Sequence, residues 1–446
     1  MDTTHTGSRT TLPETATVNA AGHLVLGGCD VVDLVAEYGS PLYVYDEVTI
    51  RQRARQYRSG LAAVVPDSLV IYASKAFANM ALFRLLAEEG LGLDVVSGGE
   101  IYMAHHSDFP MEHVYFHGNN KLPDELALAA EMGVGRVVVD NFHELALLDA
   151  LGQRLGVKLP ILIRVGPGVE AHTHEYRKTG TLDSKFGIPI STGQAETAVV
   201  QAGSARGVAL IGLHAHIGSQ IFEMAPYLET IQIVLQFALE MQERHGLNLR
   251  EFSPGGGWGI SYTDEDDPME PAQVAGSVGR AIWTGAAERG LPTPRVVIEP
   301  GRSIVGQAGV ALYTVGAIKD IPGIRRYVAL DGGMADNIRP ALYQSVYEAL
   351  LASRLDDSTP QRQTLAGRYC ESGDILVKDA LLPRLRDGDL VALPASGAYN
   401  LAMSSNYNLA LRPAVVMVNQ GAARLIRRRE SYEDLLRTET GLDGRG

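Results

Sequence analysis

Lys75 is a candidate for covalent chemistry because of the residues that surround it. It stands in the segment YASKAF, in which it is the sole charged residue. We expect a lysine in such a segment to be buried, and burial favours the neutral amine that forms Schiff bases with carbonyl groups. A lysine that reaches solvent from the end of a strand is the structural alternative.

Three further features fit a cofactor that carries a phosphate group and an aromatic ring. The segment SPGGGWG contains glycines 255–257, where backbone N–H groups can converge on a phosphate, although a plain turn has the same composition. Glu299 ends an apolar run at a Gly/Pro turn, where it could keep a ring nitrogen protonated or pair with Arg302. His216 could stack on a ring or be a hydrogen-bonded core histidine.

Motif spacing does not support other cofactor classes. GGGWG lacks the dinucleotide spacing, and no Gly-Lys pair is present for a nucleoside-triphosphate loop. The pairs His172/His174 and His214/His216 raise a metal site, but neither an HExxH motif nor a cysteine cluster accompanies them, so we expect no metal. A Schiff-base lysine, a phosphate cradle and a carboxylate for a ring nitrogen together predict pyridoxal phosphate.

Alternating strand and helix patterns predict the scaffold that positions these residues. Eight short apolar runs begin near Leu69, Leu93, Val114, Arg136, Ile161, Leu210, Glu251 and Val296. Helical patterns cover 48–61, 78–89, 123–132, 142–155 and 227–245. This alternation predicts an α/β fold, a (β/α)8 TIM-like barrel, in preference to an open doubly wound sheet, because no dinucleotide glycine pattern follows the first strand.

The remaining segments predict a second domain. After Ile304 the pattern changes to short extended runs, YVALD, QTLAG, LVALP, AVVMV and ARLIR, separated by turn residues. GHLVLGG and PLYVY, near the start, are similar runs that need a sheet to pair with. We therefore expect N-terminal strands in residues 1–45 that join a C-terminal mainly β domain at 306–446, and a cofactor-binding barrel at 46–305.

Polar residues follow the predicted barrel strands, and a barrel of this kind has its active site at the carboxyl ends of its strands. Lys75 and His117 follow the first and third strands, His214 lies in the sixth, and Glu299 ends the eighth. The strand ends therefore predict one site that gathers these side chains.

Composition limits the partners of the chain. Its 446 residues include 39 Lys+Arg and 52 Asp+Glu, a formal net charge of −13 that repels nucleic acid and anionic lipid. With Cys29 and Cys370 as its two cysteines, no disulfide framework is expected. No signal-peptide pattern opens the sequence, and the uncharged run 390–411 is too polar to span a bilayer. We expect a cytoplasmic protein that acts on a small molecule, with no nucleic acid or membrane as partner.

The motifs as a set resemble those of the fold-type III pyridoxal-phosphate decarboxylases. The resemblance spans nearly the whole chain and rests on GSPLYVYDE, YASKAF, LDVVSGGE, FHGNNK, HIGSQ, GGGWGI, EPGRS, DGGMADNIRPALY, CESGD, GAYN and SNYN. It implies an alanine racemase-like barrel with pyridoxal 5'-phosphate as cofactor. One departure is SPGGG, where relatives more often have NLGGG or DLGGG, and we expect it to affect local packing only.

The resemblance implies roles for the residues at matching positions. Lys75 and Cys370 would be catalytic, with Lys75 linked to the cofactor and one of the two returning the final proton to the α-carbon. The cofactor would be bound by Lys75, His216, Ser219, Gly255, Gly256, Gly257, Glu299, Gly301, Arg302 and Tyr399. The substrate would be bound by Arg302, Arg339, Tyr343, Glu371 and Tyr399. No role is implied for His172, His174 or Lys185.

The resemblance also implies a reaction. It indicates decarboxylation of meso-2,6-diaminopimelate at its D-configured centre, giving L-lysine and CO2, by a homodimer that shares its active site between subunits. Arg302 and Arg339 suit a distal carboxylate, whereas decarboxylases of ornithine, arginine or carboxynorspermidine form the alternative, in which acidic groups would recognise a distal cation. A pyridoxal-phosphate-binding homologue without activity is the alternative from another class.

Overall fold

The computed structural model describes residues 11–169, 183–354 and 359–442. The chain forms two compact units. One, here the β unit, comprises the residues up to Ile50, the segment Ile260–Asp267 and the residues from Ile304 onward. The other, here the barrel unit, comprises Arg51–Gly259 and Pro268–Ser303.

The first part of the β unit contains four short strands and a helix. They are β1 (Thr17–Val18), β2 (Leu24–Leu26), β3 (Cys29–Asp30), helix α1 (Val31–Tyr38) and β4 (Leu42–Asp46). Strands β1 to β3 form a small antiparallel sheet. The Asp30 carboxylate accepts a hydrogen bond from the Val32 backbone N–H and so caps α1.

The barrel unit contains a closed ring of eight parallel strands. They are β5 (Ser68–Ala73), β6 (Gly92–Val95), β7 (Val114–Phe116), β8 (Arg136–Val139), β9 (Leu159–Gly166), β11 (Val208–His214), β12 (Glu251–Ser253) and β13 (Arg295–Ile298). Each pairs in parallel with the next, and β13 returns to β5. Short strand β10 (Ile188–Pro189) pairs with the end of β9. The predicted (β/α)8 barrel is confirmed.

Helices precede the first barrel strand and connect most of the others. They are α2 (Glu47–Ala62), α3 (Met80–Glu88), α4 (Gly98–His106), α5 (Pro123–Glu131), α6 (Phe142–Leu155), α7 (Gln194–Ser204), α8 (Ala225–His245) and α9 (Pro271–Glu288). The five predicted helical segments are confirmed. Helix α4 was not predicted, because it begins with two glycines, which are poor helix formers. It forms nevertheless, and the Ser97 hydroxyl caps it by accepting a hydrogen bond from the Glu100 N–H at 3.3 Å. None of the helices in the described ranges is long and apolar enough to cross a membrane.

The second part of the β unit is mainly strand. Helix α10 (Arg302–Val305) begins in the barrel unit and ends in the β unit. The elements that follow are β14 (Gly309–Ile321), β15 (Arg325–Leu330), α11 (Arg339–Tyr343), β16 (Leu350–Leu351), β17 (Pro360–Ala366), β18 (Ile375–Pro383), β19 (Leu390–Leu393), β20 (Ala414–Asn419), β21 (Ala422–Arg427) and α12 (Tyr432–Leu436). One sheet has the order β18-β17-β15-β14-β4-β20-β21. N-terminal strand β4 pairs with β14 and β20.

Strands β14 and β18 were not predicted. In β18 the register shifts against β17, and Asp379 has a φ of +56°, so the strict alternation of buried and exposed residues is lost. Strand β14 contains Gly309 and Gly316 and also shifts register against β15, which weakens its strand pattern.

A buried ion pair joins strands at the amino end of the barrel. Arg136, the first residue of β8, donates from Nη2 to Oε1 of Glu251, the first residue of β12, at 2.6 Å. Tyr115 of β7 donates to the other Glu251 oxygen at 2.9 Å. The Glu251 side chain is 6% exposed, so its charge depends on these donors.

Replacing Arg136 with Met should leave the Glu251 carboxylate buried with a single donor. We expect thermal unfolding, followed by circular dichroism, to show a loss of about 3 kcal/mol of stability. Arg250→Met removes an exposed arginine beside Glu251 and is the matched control, with an expected change within about 0.5 kcal/mol. Equal melting temperatures for the two variants would contradict a stabilising role for the pair.

Candidate active site

Ionisable side chains meet at the carboxyl ends of the barrel strands. Lys75 follows β5, Asp94 lies in β6, His117 follows β7, His214 ends β11 and Glu299 follows β13. The Lys75 amine lies 3.6 Å from Asp94, and His117 lies 3.7 Å from both Asp94 and Glu299. Glu299 in turn lies 3.1 Å from His214. The barrel therefore brings together residues that are far apart in sequence, as the strand-end pattern predicted.

Glu299 is a buried carboxylate with a donor on each oxygen. Ser253 donates from Oγ to Oε1 at 2.8 Å, and His214 Nε2 lies 3.1 Å from Oε2. Burial opposes ionisation of Glu299, but the neighbouring histidines and these hydrogen bonds outweigh it, so its pKa lies below the usual value. Glu299 is therefore an anion that can accept a hydrogen bond from a protonated ligand nitrogen.

Asp94 and His117 are buried beside Glu299 and have polar atoms without a hydrogen-bond partner. His117 Nε2 lies 3.7 Å from Asp94 Oδ1 and 3.7 Å from Glu299 Oε1, too far for a hydrogen bond. Burial raises the pKa of Asp94 to about 7 and lowers the pKa of His117 well below its usual value. Buried polar atoms of this kind are typical of a site that a ligand completes.

Lys75 lies in a short 3-10 turn, Ser74–Ala76, at the end of β5. Its amine is 3.6 Å from Asp94 Oδ2, and its side chain is 46% exposed. The predicted burial of Lys75 is wrong. The apolar neighbours in YASKAF are buried, whereas the lysine itself is reached by solvent at the strand end.

The glycine turn after β12 has no room for side chains. A Cβ on Gly256 would lie 1.9 Å from the Glu299 carbonyl oxygen, and one on Gly257 would lie 2.0 Å from the Gly218 carbonyl oxygen. Gly255 and Gly257 also have positive φ values of +83° and +102°. The Gly256 N–H points to His216 Nδ1 at 3.4 Å, so the turn and the predicted ring-stacking histidine are in contact.

Arg302 and Ser219, both predicted cofactor ligands, also come together. Arg302 Nη2 donates to Ser219 Oγ at 3.0 Å. Gly301 precedes this arginine, and a Cβ there would lie 2.9 Å from the Ala73 Cβ, at the end of β5. Glu299 has Ser253 and His214 as its hydrogen-bond donors, so the suggested pairing of Glu299 with Arg302 is not what orients this carboxylate.

The donor set of this cluster also suits a metal ion. One ligand atom each from His117, His214 and Glu299 lies within 4.8 Å of the others. The sequence predicted no metal, and of the two predicted histidine pairs His214 alone enters this group. His172 and His174 lie outside the described residues.

Arg339, a predicted substrate ligand, is a buried cation in the β unit. Its guanidinium donates to Tyr347 Oη and lies 4.6 Å from the ring centroid of Tyr262. Tyr347 Oη in turn donates to Asn400 Oδ1 at 3.1 Å. Within the described part of the chain, no carboxylate forms an ion pair with Arg339, and these tyrosines hold its pKa above the usual value despite burial.

The other predicted residues of the β unit are more accessible. Tyr343 ends α11 and is half-buried, while Tyr399 is half-buried with a φ of +65°, an unusual conformation for a bulky residue that is found at functional sites. Cys370 and Glu371 are exposed. The backbone of Cys370 forms two hydrogen bonds with nearby side chains. Its N–H donates to Asn408 Oδ1 at 3.0 Å, and its carbonyl accepts from Tyr407 Oη at 3.4 Å.

The family resemblance implied no role for some side chains of the cluster. The strand-end pattern placed His117 and His214 at the site, and Asp94 had the same signal, since it lies near the end of β6. Ser253 had none: the SPGGG departure was expected to affect packing only, but Ser253 directly contacts Glu299. Lys185, without a predicted role, lies 4.9 Å from the ring centroid of Phe186.

Comparison with known proteins agrees with this geometry. Residues 47–306 match the family described as "Pyridoxal-dependent decarboxylase, pyridoxal binding domain". The chain is 45% identical to a diaminopimelate decarboxylase of Bacillus subtilis over 95% of this chain and 97% of that protein. It is 46% identical to one of Synechocystis over 96% and 92% of the two chains.

A solved structure shares the whole fold. The crystal structure of diaminopimelate decarboxylase from M. jannaschii in co-complex with L-lysine is 32% identical, with a TM-score of 0.90 over 97% of this chain and 99% of that chain. The nearly full-length matches, the barrel fold and the cluster at the strand ends all indicate the same family. The chain belongs to the diaminopimelate decarboxylases, a family of pyridoxal-dependent decarboxylases.

Proposed function

We propose that the chain catalyses decarboxylation of meso-2,6-diaminopimelate to L-lysine and CO2, the last step of lysine biosynthesis, with pyridoxal 5'-phosphate as cofactor. The observation that carries this is the match to diaminopimelate decarboxylases over nearly the full length of both chains. The relative from M. jannaschii binds L-lysine, the product of this reaction.

The residues of the barrel unit fit three functional groups of pyridoxal phosphate: its aldehyde, its ring nitrogen and its phosphate. The Lys75 amine suits its aldehyde, the ionised Glu299 carboxylate suits a protonated ring nitrogen, and the glycine turn at 255–257 suits its phosphate. The unpartnered polar atoms of Asp94 and His117 also lie in this cluster. The residues present therefore offer a complementary group for each of these parts of the cofactor.

The residues we propose as cofactor ligands divide by the part of the cofactor that they hold. Lys75 would hold it covalently, His216 would stack on its ring, and Glu299 would pair with its ring nitrogen. The phosphate would be held by Ser219, Gly255, Gly256, Gly257, Gly301 and Arg302, and Tyr399 would contact both cofactor and substrate. These assignments are supported by the Arg302–Ser219 bond and by the contact between the glycine turn and His216.

The reaction breaks the bond between the α-carbon and its carboxylate, CO2 leaves, and the α-carbon takes up one proton. When bound, pyridoxal phosphate supplies an electron sink for the electron pair left by CO2. The ionised Glu299 carboxylate would accept a hydrogen bond from the ring nitrogen and so keep that nitrogen protonated. We propose that the thiol of Cys370 delivers the proton to the α-carbon, with the Lys75 amine as the alternative donor.

Substrate choice depends on recognition of the distal end of the diamino diacid. We propose that Arg302 and Arg339 bind its distal carboxylate and that Tyr343, Glu371 and Tyr399 complete its binding site. The buried guanidinium of Arg339 has no carboxylate partner among the described residues and suits an anionic ligand. Ornithine and arginine lack such a group, which disfavours decarboxylases of these amino acids as the alternative.

We further propose that two copies of the chain form a homodimer in which Cys370 and Glu371 complete the active site of the other copy. In support, both side chains are exposed, and Leu409 in the neighbouring segment is 72% exposed. Side chains exposed in one chain are accessible to a second copy. We also propose domain boundaries at 45/46 and 305/306, and a cytoplasmic location, which suits two free cysteines.

The proposed reaction is tested with purified, cofactor-loaded protein. CO2 release and lysine formation should occur with meso-diaminopimelate but not with the LL or DD isomers, ornithine or arginine. Lys75→Ala should remove both the activity and the absorbance band of the lysine-linked cofactor. Cofactor-loaded wild-type protein that leaves the meso isomer unchanged would contradict the proposed substrate, and an unaltered absorbance band in the variant would contradict the role of Lys75.

Replacing Arg339 with Met removes a charge-assisted hydrogen-bond donor while conserving much of its volume. We expect kcat/KM for meso-diaminopimelate to fall by about tenfold to a hundredfold, mainly through KM, with the cofactor absorbance unchanged. Arg384→Met, at an exposed arginine of the same unit, is the control and should leave both constants unchanged. A wild-type kcat/KM for Arg339→Met would remove this residue from substrate recognition.

The shared active site is tested by subunit exchange between two inactive variants, Lys75→Ala and Cys370→Ala. In a mixed dimer, one of the two sites receives both intact residues, so an equal mixture should recover about a quarter of the wild-type activity. Affinity tags on the two variants measure how much mixed dimer is present. Absence of activity in purified mixed dimers would show that each chain builds its site alone.

A further inference from the structure

Ser253 forms hydrogen bonds on two sides at the end of strand β12. It is 1% exposed, its Oγ lies 2.8 Å from Glu299 Oε1, and the Gly255 backbone nitrogen lies 3.1 Å from the same Oγ. The directions of both bonds follow from the groups involved. A backbone N–H can only donate and an ionised carboxylate can only accept, so the Ser253 proton points to Glu299.

This hydroxyl links two parts of the proposed cofactor site. Glu299 follows β13, and Gly255 begins the glycine turn that we propose as part of the phosphate site. The Glu299 backbone N–H donates to the Gly255 carbonyl at 3.0 Å, so backbone and side-chain bonds tie the same two segments together. The position of the Glu299 carboxylate is therefore set relative to the glycine turn.

We propose that Ser253 is a positioning residue for the reaction: its hydroxyl orients the Glu299 carboxylate and keeps it an acceptor, so that the shared proton stays on the cofactor's ring nitrogen. This inference rests on the proposed function, because it assigns Ser253 to the same cofactor site. Its hydroxyl acts through Glu299, which it contacts directly.

Removal of the Ser253 donor is expected to change the basicity of Glu299 more than its position. His214 Nε2 holds Oε2 at 3.1 Å and remains in place when Ser253 is replaced, so the carboxylate should stay near its position. Loss of the donor on Oε1 destabilises the ionised form and makes Glu299 a stronger base. The proton shared with the ring nitrogen then shifts towards the carboxylate, and the ring accepts electrons less well.

The test compares Ser253→Ala, which removes the donor, with Ser253→Cys, which keeps a weaker donor of similar size. Ser396→Ala is the matched control, because Ser396 is also fully buried and its hydroxyl donates to the Pro394 carbonyl, at 3.4 Å. Each protein is loaded with pyridoxal phosphate labelled with nitrogen-15 in the ring, and the ring resonance is measured by NMR. Steady-state kinetics with meso-diaminopimelate follow.

For Ser253→Ala we expect the ring resonance to move towards that of an unprotonated nitrogen and kcat to fall by about tenfold, with KM unchanged. Ser253→Cys should give an intermediate resonance, and Ser396→Ala should match the wild type. A merely structural role would lower the melting temperature without moving the ring resonance. A wild-type resonance in Ser253→Ala would overturn the inference.

The Cys variant decides the question if the Ala variant does not fold, and a wild-type resonance there would likewise overturn the inference. A wrong substrate assignment would give a different result from a wrong role for Ser253. Wild-type protein that binds the cofactor but releases no CO2 from meso-diaminopimelate would count against the substrate alone. The ring resonance of the variants would still decide the role of Ser253.

Discussion

The ionised carboxylate of Glu299, buried at the carboxyl end of the barrel, is the constraint on which the site depends. A buried charge is costly unless its environment supplies donors, and here His214 and Ser253 supply one for each oxygen. Those donors come from the ends of β11 and β12, so the carboxylate is held by three adjacent segments of one sheet. An acceptor held in this way needs little rearrangement when a protonated ring nitrogen binds, which is the basis of electrostatic preorganisation.

The two ends of the barrel use buried carboxylates for different purposes. At the amino end, Glu251 receives donors from Arg136 and Tyr115 and has a full set of partners, which suits a stabilising role. At the carboxyl end, polar atoms of Asp94 and His117 are left without hydrogen-bond partners. Incomplete pairing destabilises the fold locally, and such groups are retained where a ligand supplies the missing contacts.

The β unit presents a different electrostatic arrangement. Arg339 is buried as a cation among tyrosines, and cation–π contacts offset part of its desolvation without neutralising it. A guanidinium in this state keeps a large preference for an added anion, and a carboxylate matches its planar donors. A binding site with such a guanidinium would favour a diamino diacid over amino acids with a cationic distal end, in line with the role proposed for Arg339.

The sequence by itself determined the eight barrel strands, the main helices and the family, because these depend on local periodicity and on motifs of a few adjacent residues. It also supplied the residue types of the proposed cofactor site. It did not determine β14 and β18, where register shifts break the alternation, or the exposure of Lys75, whose sequence neighbours are buried while its own side chain reaches solvent. The tertiary structure alone decided the partners of Glu299. Ser253 and His214 are 46 and 85 residues away from it, and it is the parallel pairing of β11, β12 and β13 as neighbours that brings their donors to one carboxylate.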